Sequence, residues 1–205
     1  MTKNDLIKVF QESADNYRYA WGIKVFEKEL SLKPEFKNSE EILLKLGMLY
    51  DHLAVFKDSK TRLILERKAV KIYKKVLKLN PKSALALWGI GRVFWHRKSK
   101  KAIPYAIRAY RLARSGLFAQ NVGAVYMSLN KFNEAEPWLL KGQNKDPRNW
   151  AMYLNLVSFY EKIGNIKKAK LYAKKLKLLF SKEKPQVKKT KWGKQVLAMI
   201  NRLDP

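Results

Sequence analysis

Cysteine is absent from this 205-residue chain. That excludes a disulfide framework and thiolate metal centres together, and it fits a reducing compartment, so the cytoplasm is the expected location. Histidine is nearly as scarce: His52 and His96 are the only two. None of the patterns HExxH, GxSxG or GxxxxGK[ST] occurs, and the Gly-x-Gly of GIGR (89–92) stands inside a helical stretch rather than after a strand. The expectation is a non-enzymatic protein that needs neither metal nor cofactor. Long apolar runs are missing as well, since no segment approaches the roughly 20 apolar residues of a membrane span. The opening MTKNDLIKVFQESADNY has charges scattered through it, unlike a secretory leader. Acidic residues are missing from the middle: no Asp or Glu lies between Arg67 and Asn133, where sixteen Lys and Arg occur.

What is present is a core-forming chain with a large positive excess. Hydrophobic residues make up 47% of it, enough to bury a substantial core in one domain or one elongated array. The formal net charge is +27, which draws anionic partners and speeds their association. Eleven of the seventeen acids lie at or before Glu66, so the centre of the chain is its basic part.

A period runs through this composition. Tyr50, Phe94, Tyr126 and Tyr160 fall in register, and three residues before them stand Gly47, Gly91, Gly123 and Val157. Small residues follow at Ala69, Ala102, Ala135 and Ala169, spaced 33, 33 and 34 apart. Pro34, Pro81 and Pro147 punctuate the units, with Arg114 and Ser181 where further prolines would stand. A glycine and an alanine on facing helices allow close approach, an aromatic fills the gap, and proline ends the second helix.

This order of Gly-x-x-aromatic, Ala and Pro at a period near 34 resembles the tetratricopeptide repeat, a helix-turn-helix unit that stacks into a solenoid. The resemblance covers residues 36 to 181 well and residues 1 to 35 loosely. It implies an all-α, right-handed superhelical solenoid of about four to five antiparallel helix pairs with a C-terminal capping helix. The expected units are 1–35 (a degenerate first pair), 36–81, 82–114, 115–147 and 148–181, together an array over 1–181. A basic linker at 182–191 and a capping helix at 192–205 follow. Ten additional residues between Tyr50 and Ala69 predict a longer helix pair turning near KDSK (57–60). NEAE (133–136) reads as a capping box opening a second helix, with Pro137 in its first turn. In the last segment Trp192, Val196, Met199, Ile200 and Leu203 recur at helical spacing.

Proteins of this family bind along a concave surface lined by the first helix of each unit, and helical projection gives the residues facing it. They are Trp88, Arg92, Trp95 and His96 in one unit, Gln120 and Asn121 in the next, and Asn155 and Ser158 in the one after. Arg92 would anchor an anion between indole walls, and the amides would bond an extended peptide backbone. The plainer alternative wedges Trp88 and Trp95 between neighbouring helices and leaves the asparagines as surface residues. One subclass of the family grips a C-terminal carboxylate with Lys, Asn and Arg; the matching positions here are Leu44, Met48, Gly89, Leu117 and Asn121, so that clamp is missing.

Two functional classes follow. The first is an adaptor or scaffold that holds an extended or helical, acidic protein segment in the groove. The second is a solenoid that binds nucleic acid, RNA or a ribonucleoprotein, through its basic surface, with tryptophans as stacking platforms. Lys68, Lys71, Lys75 and Lys78 share one side of a second helix opposite Ala69, Ile72, Tyr73 and Val76, and Lys170, Lys174 and Lys177 repeat the arrangement. A solvated lysine face is the ordinary account of such runs.

Overall fold

The computed structural model describes residues 1–204, apart from the side chains of Lys191 and Trp192. Trp192, expected on the buried face of the last helix, thus lies outside the described residues. The chain divides into two compact units, residues 1–112 and residues from 113 onward.

The first unit holds α1 (Lys3–Asp15), α2 (Tyr19–Leu32), a 3-10 turn (Pro34–Asn38), α3 (Glu40–Val55), α4 (Ser59–Leu79), α5 (Ala84–His96) and α6 (Ala102–Ala113), which runs one residue past the boundary. Polar side chains start these helices by accepting orphan backbone N–H groups. Thr2 and Asp5 form a capping box on α1, Asp58 takes the amides of Lys60 and Thr61, and Ser83 that of Ala86. The turn between α3 and α4 falls where KDSK predicts it, and α4 at 21 residues is the long helix that the additional ten residues require.

Alternation of close packing and filled gaps builds the core. Ala69, Ala102, Ala135 and Ala169 are completely buried, each on the second helix of a pair. A Cβ on Gly47 would stand 2.6 Å from the Tyr73 ring, and one on Gly123 2.6 Å from Leu139, so both glycines bring the two helices of their own pair together. Tyr73 fills a slot walled by two glycines, because Gly89 of α5 approaches it from the other side, where a Cβ would stand 2.4 Å away. Residues in left-handed geometry turn four of the five pairs, at Tyr17, Lys98, Asn130 and Gly164, while the α3–α4 turn has none and Arg114 adopts the same geometry after α6. Lys98, Asn130 and Gly164 carry the repeat: they are 32 and 34 apart, which is the sequence period seen in the backbone.

The second unit holds α7 (Gly116–Ser128), α8 (Phe132–Lys145), α9 (Trp150–Lys162), α10 (Ile166–Phe180), the short α11 (Pro185–Lys189) and α12 (Lys191–Leu203). Ser115, Asn149, Asn165 and Thr190 cap α7, α9, α10 and α12. Val196, Ile200 and Leu203 of α12 join Leu176 and Phe180 in the core. The segment 182–191 is therefore more than a linker, since it contains a helical turn. Asn133 does not cap α8 either. The cap position is Lys131, which makes no side-chain capping bond but pairs with Glu134 at 2.8 Å. With the helix starting at Phe132, Pro137 falls in the second turn, where it removes a backbone hydrogen bond.

Successive pairs are tied by a recurring hydrogen bond. The Tyr50 hydroxyl of α3 donates to Glu27 of α2, and the Tyr160 hydroxyl of α9 donates to Glu136 of α8 at 2.6 Å. In both cases the repeat-defining tyrosine reaches back to the second helix of the preceding pair.

Candidate functional site

In the first unit the four predicted residues share α5, and all are half-buried. The Trp88 and Trp95 rings lie 6.0 Å apart, tilted by 36°, and Trp95 stacks on His96 at 5.3 Å. Arg92 is not a free anion anchor. Its Nε donates to the carboxylate of Asp51, which is 1% exposed, and its Nη1 lies 3.0 Å from His52 Nε2. A guanidinium can only donate, so the imidazole accepts at Nε2 and carries its proton at Nδ1.

A second buried carboxylate lies on α4. Glu66, 2% exposed, accepts from Arg62 Nε at 2.8 Å and from Arg97 at 2.6 Å. The local balance is three guanidinium groups against two carboxylates. Burial, then the positive charge of Arg92, pushes the His52 imidazole down to about 4, so it is neutral at pH 7, and burial lowers His96 as well. Burial pushes the Asp51 carboxyl upward and Arg92 pulls it back. Asp51 Oδ1 and His52 Nδ1 lack hydrogen-bond partners among the described residues. The sequence reading missed Asp51, His52 and Glu66. Their one signal is Asp51 directly after the repeat tyrosine, at the end of the apolar stretch 46–50.

In the second unit the predicted residues separate. Gln120 is 1% exposed, and its Nε2 donates to the carbonyls of Leu139 at 2.8 Å and Met152 at 3.3 Å. It stitches α7 to α8 and α9 inside the core, so it cannot touch a partner. A helical projection gives its direction but not the neighbouring helix that closes over it. Asn121, Asn155 and Ser158 are half-buried, and their side chains make no hydrogen bond among the described residues. Asn155 and Ser158 line a pocket of about 220 Å³ with Leu154, Gln195, Val196 and Met199, between α9 and α12. Gln195 and Met199 were not foreseen; they depend on where α12 docks.

No group of His, Cys, Asp or Glu among the described residues is arranged to hold a metal ion. No described helix is long and apolar enough to cross a membrane. Paired helices, buried alanines at the period and glycine contacts within pairs define the fold of tetratricopeptide-repeat proteins, and the chain has that fold. Solved structures carry the same likeness. TTC0263, a thermophilic protein of this class from Thermus thermophilus, superposes with a TM-score of 0.73 over 98% of this chain and 100% of that one, at 15% identity. PilW, a type IV pilus biogenesis factor, gives 0.68 over 99% and 91% at 16% identity. YrrB, described as a protein of the class with an unusual peptide-binding site, gives 0.53 over 87% and 86% at 16% identity. No protein-family model matches the sequence, and no curated protein matches it either.

Proposed function

We propose that this chain is a non-enzymatic, cytoplasmic adaptor that holds an extended or helical segment of another protein against the first helices of its repeats. The repeat units run over 36–81, 82–114, 115–147 and 148–181, after a degenerate pair at 1–35. The observation that carries the reading is the pocket between α9 and α12. It offers Asn155 and Ser158, half-buried and without internal hydrogen-bond partners, to whatever enters. Such groups favour a ligand that supplies both donors and acceptors, as a peptide backbone does. Asn121, one period before Asn155, offers the same chemistry on α7. The unusual peptide-binding site described for YrrB supports the class of ligand.

On α5 the indoles of Trp88 and Trp95 supply apolar contact, while Arg92 holds Asp51 and contributes shape rather than free charge. An acidic bias in the partner rests on the net charge of +27, not on Arg92.

Selection from a random peptide display library tests the proposal. The intact chain enriches a consensus peptide, and the Asn121→Ala/Asn155→Ala/Ser158→Ala variant, equally helical, binds that peptide about tenfold more weakly, as the loss of two or three polar contacts requires. Equal binding by the variant, or no enrichment, refutes it.

A further inference from the structure

One concavity of the first unit lies on α4 rather than α5. An open depression of about 720 Å³ runs along the outer side of α4. Arg67, Lys71, Lys74, Lys75 and Lys78 line it, and none of them forms an ion pair within the described residues. The carboxylates of the adjoining pockets are engaged elsewhere: Glu27, beside Lys68 and Lys71, accepts from Tyr50, and Glu66, beside Arg67, pairs with Arg62 and Arg97. Arg62, Arg92 and Arg97 are different, since each holds a buried acid. The positive excess of this unit is thus unneutralised along α4.

Exposed Arg67, Lys71, Lys74 and Lys78 run down the middle of this face. Val70 is half-buried at one edge, beside Phe94 in an adjoining pocket, and Ile72 is half-buried at the opposite edge, about 200° round the helix. From Arg67 to Lys78 the cations extend for about 16 Å along the helix, at the 1.5 Å rise per residue. A ligand that satisfies this surface brings several negative charges over that length and an apolar stripe beside them.

We infer that this face of α4 docks an acidic amphipathic helix of a partner protein. Such a helix lays its apolar stripe along the edge of Val70 and Phe94 while carboxylates spaced three and four residues apart meet Arg67, Lys71, Lys74 and Lys78. Single-stranded nucleic acid would match the charge but needs aromatic platforms for its bases, and none lines the depression. A flat lipid surface would meet the exposed lysines before the half-buried Val70. The surface is separate from the residues on α7 and α9, and its test is independent of theirs.

Fluorescence anisotropy on the intact chain provides that test, with a labelled peptide of about 15 Leu and Glu residues patterned as an amphipathic helix. The comparison probes are a scrambled peptide of identical composition, oligouridylate, and phosphatidylglycerol-containing vesicles. The patterned peptide binds at least about tenfold more tightly than each of the three, and Lys71→Glu/Lys75→Glu weakens it by about tenfold or more, because two attractive contacts become repulsive. Lys74→Gln/Lys78→Gln, which only neutralises two partnerless side chains, gives a smaller loss in the same direction. Asn121→Ala/Asn155→Ala leaves the affinity unchanged. Equal binding of the scrambled peptide, RNA or vesicles overturns the inference. So does an unchanged affinity in both lysine variants, or a loss in the asparagine variant.

Discussion

Arg92 of α5 donates to Asp51 of α3, 41 residues earlier, and the bond couples the first helices of two successive pairs. Removing one member of a buried, paired set leaves the other charged and unsatisfied, at a cost of about 3–5 kcal/mol. Arg92→Ala is therefore expected to destabilise the first unit by that amount in urea denaturation, rather than to act as a clean binding mutation. Arg92→Met combined with Asp51→Leu recovers most of the loss. A double variant as unstable as the single one would show that packing, not charge, is at stake.

The same cluster makes stability depend on pH. His52 titrates in the folded chain at about 4, below its ordinary value of 6.5, so protons bind preferentially to the unfolded chain between those limits. Stability conferred by the neutral imidazole is full above pH 6.5 and is lost as pH falls towards 4. His96, also lowered, acts in the same sense. The Asp51 carboxyl is raised, so its contribution has the opposite sign and grows as pH falls. Acidification from pH 7 to 5 is expected to cost about 2 kcal/mol through His52, less the Asp51 offset. His52→Leu should more than halve the dependence of the urea midpoint on pH; a dependence unaltered by that change assigns it elsewhere.

Tyr73 gives a packing test at the edge of the charged cluster, since its hydroxyl faces Arg92 and Asp51. Gly47 and Gly89 flank its ring, and an added methyl at either meets ring carbons well inside normal contact. Gly89→Ala is expected to cost about 1–3 kcal/mol by overpacking. Tyr73→Leu in the same chain removes the clash, so the pair is non-additive in a double-mutant cycle. Strict additivity would mean that the slot is not a shared one.

Pro137 shows where local reading of the sequence went astray. Placed in a first turn it would cost little, but α8 begins at Phe132 and the ring sits in the second turn, exposed. Pro104, in the first turn of α6, is the contrasting case. Pro137→Ala is expected to raise thermal stability by about 1–2 kcal/mol, the restored hydrogen bond and propensity outweighing the greater freedom of the unfolded chain. Pro104→Ala should change it by less.

The fold was legible because the period acts on backbone geometry. Gly47, Gly91, Gly123 and the four buried alanines recur where pairs must approach, and such constraints survive large changes in the other residues. The candidate site was legible only in part. Trp88, Trp95, Asn121, Asn155 and Ser158 lie half-buried on the helices that the projection selected. What Arg92 and Gln120 touch depends on residues 41 and 32 positions away. A single-helix projection contains no information about the height at which a neighbour crosses.

Gln120 and Asn121 turn that distinction into a final measurement. They are adjacent in sequence, and both are amides on α7, but their surroundings differ. Gln120 donates to two backbone carbonyls in a dry interior, whereas Asn121 has no internal partner and is half-buried. Gln120→Met keeps the volume but leaves two carbonyls without their donor, at a cost of about 1–3 kcal/mol. Asn121→Ala removes no internal hydrogen bond and should stay within about 0.5 kcal/mol of the parent, as surface changes usually do. Urea unfolding of the two variants separates them, and the binding assay should invert the order. Asn121→Ala weakens the selected peptide, while Gln120→Met, assayed where it is folded, does not. If both variants lost stability equally, Asn121 would be a structural residue and would leave the proposed site.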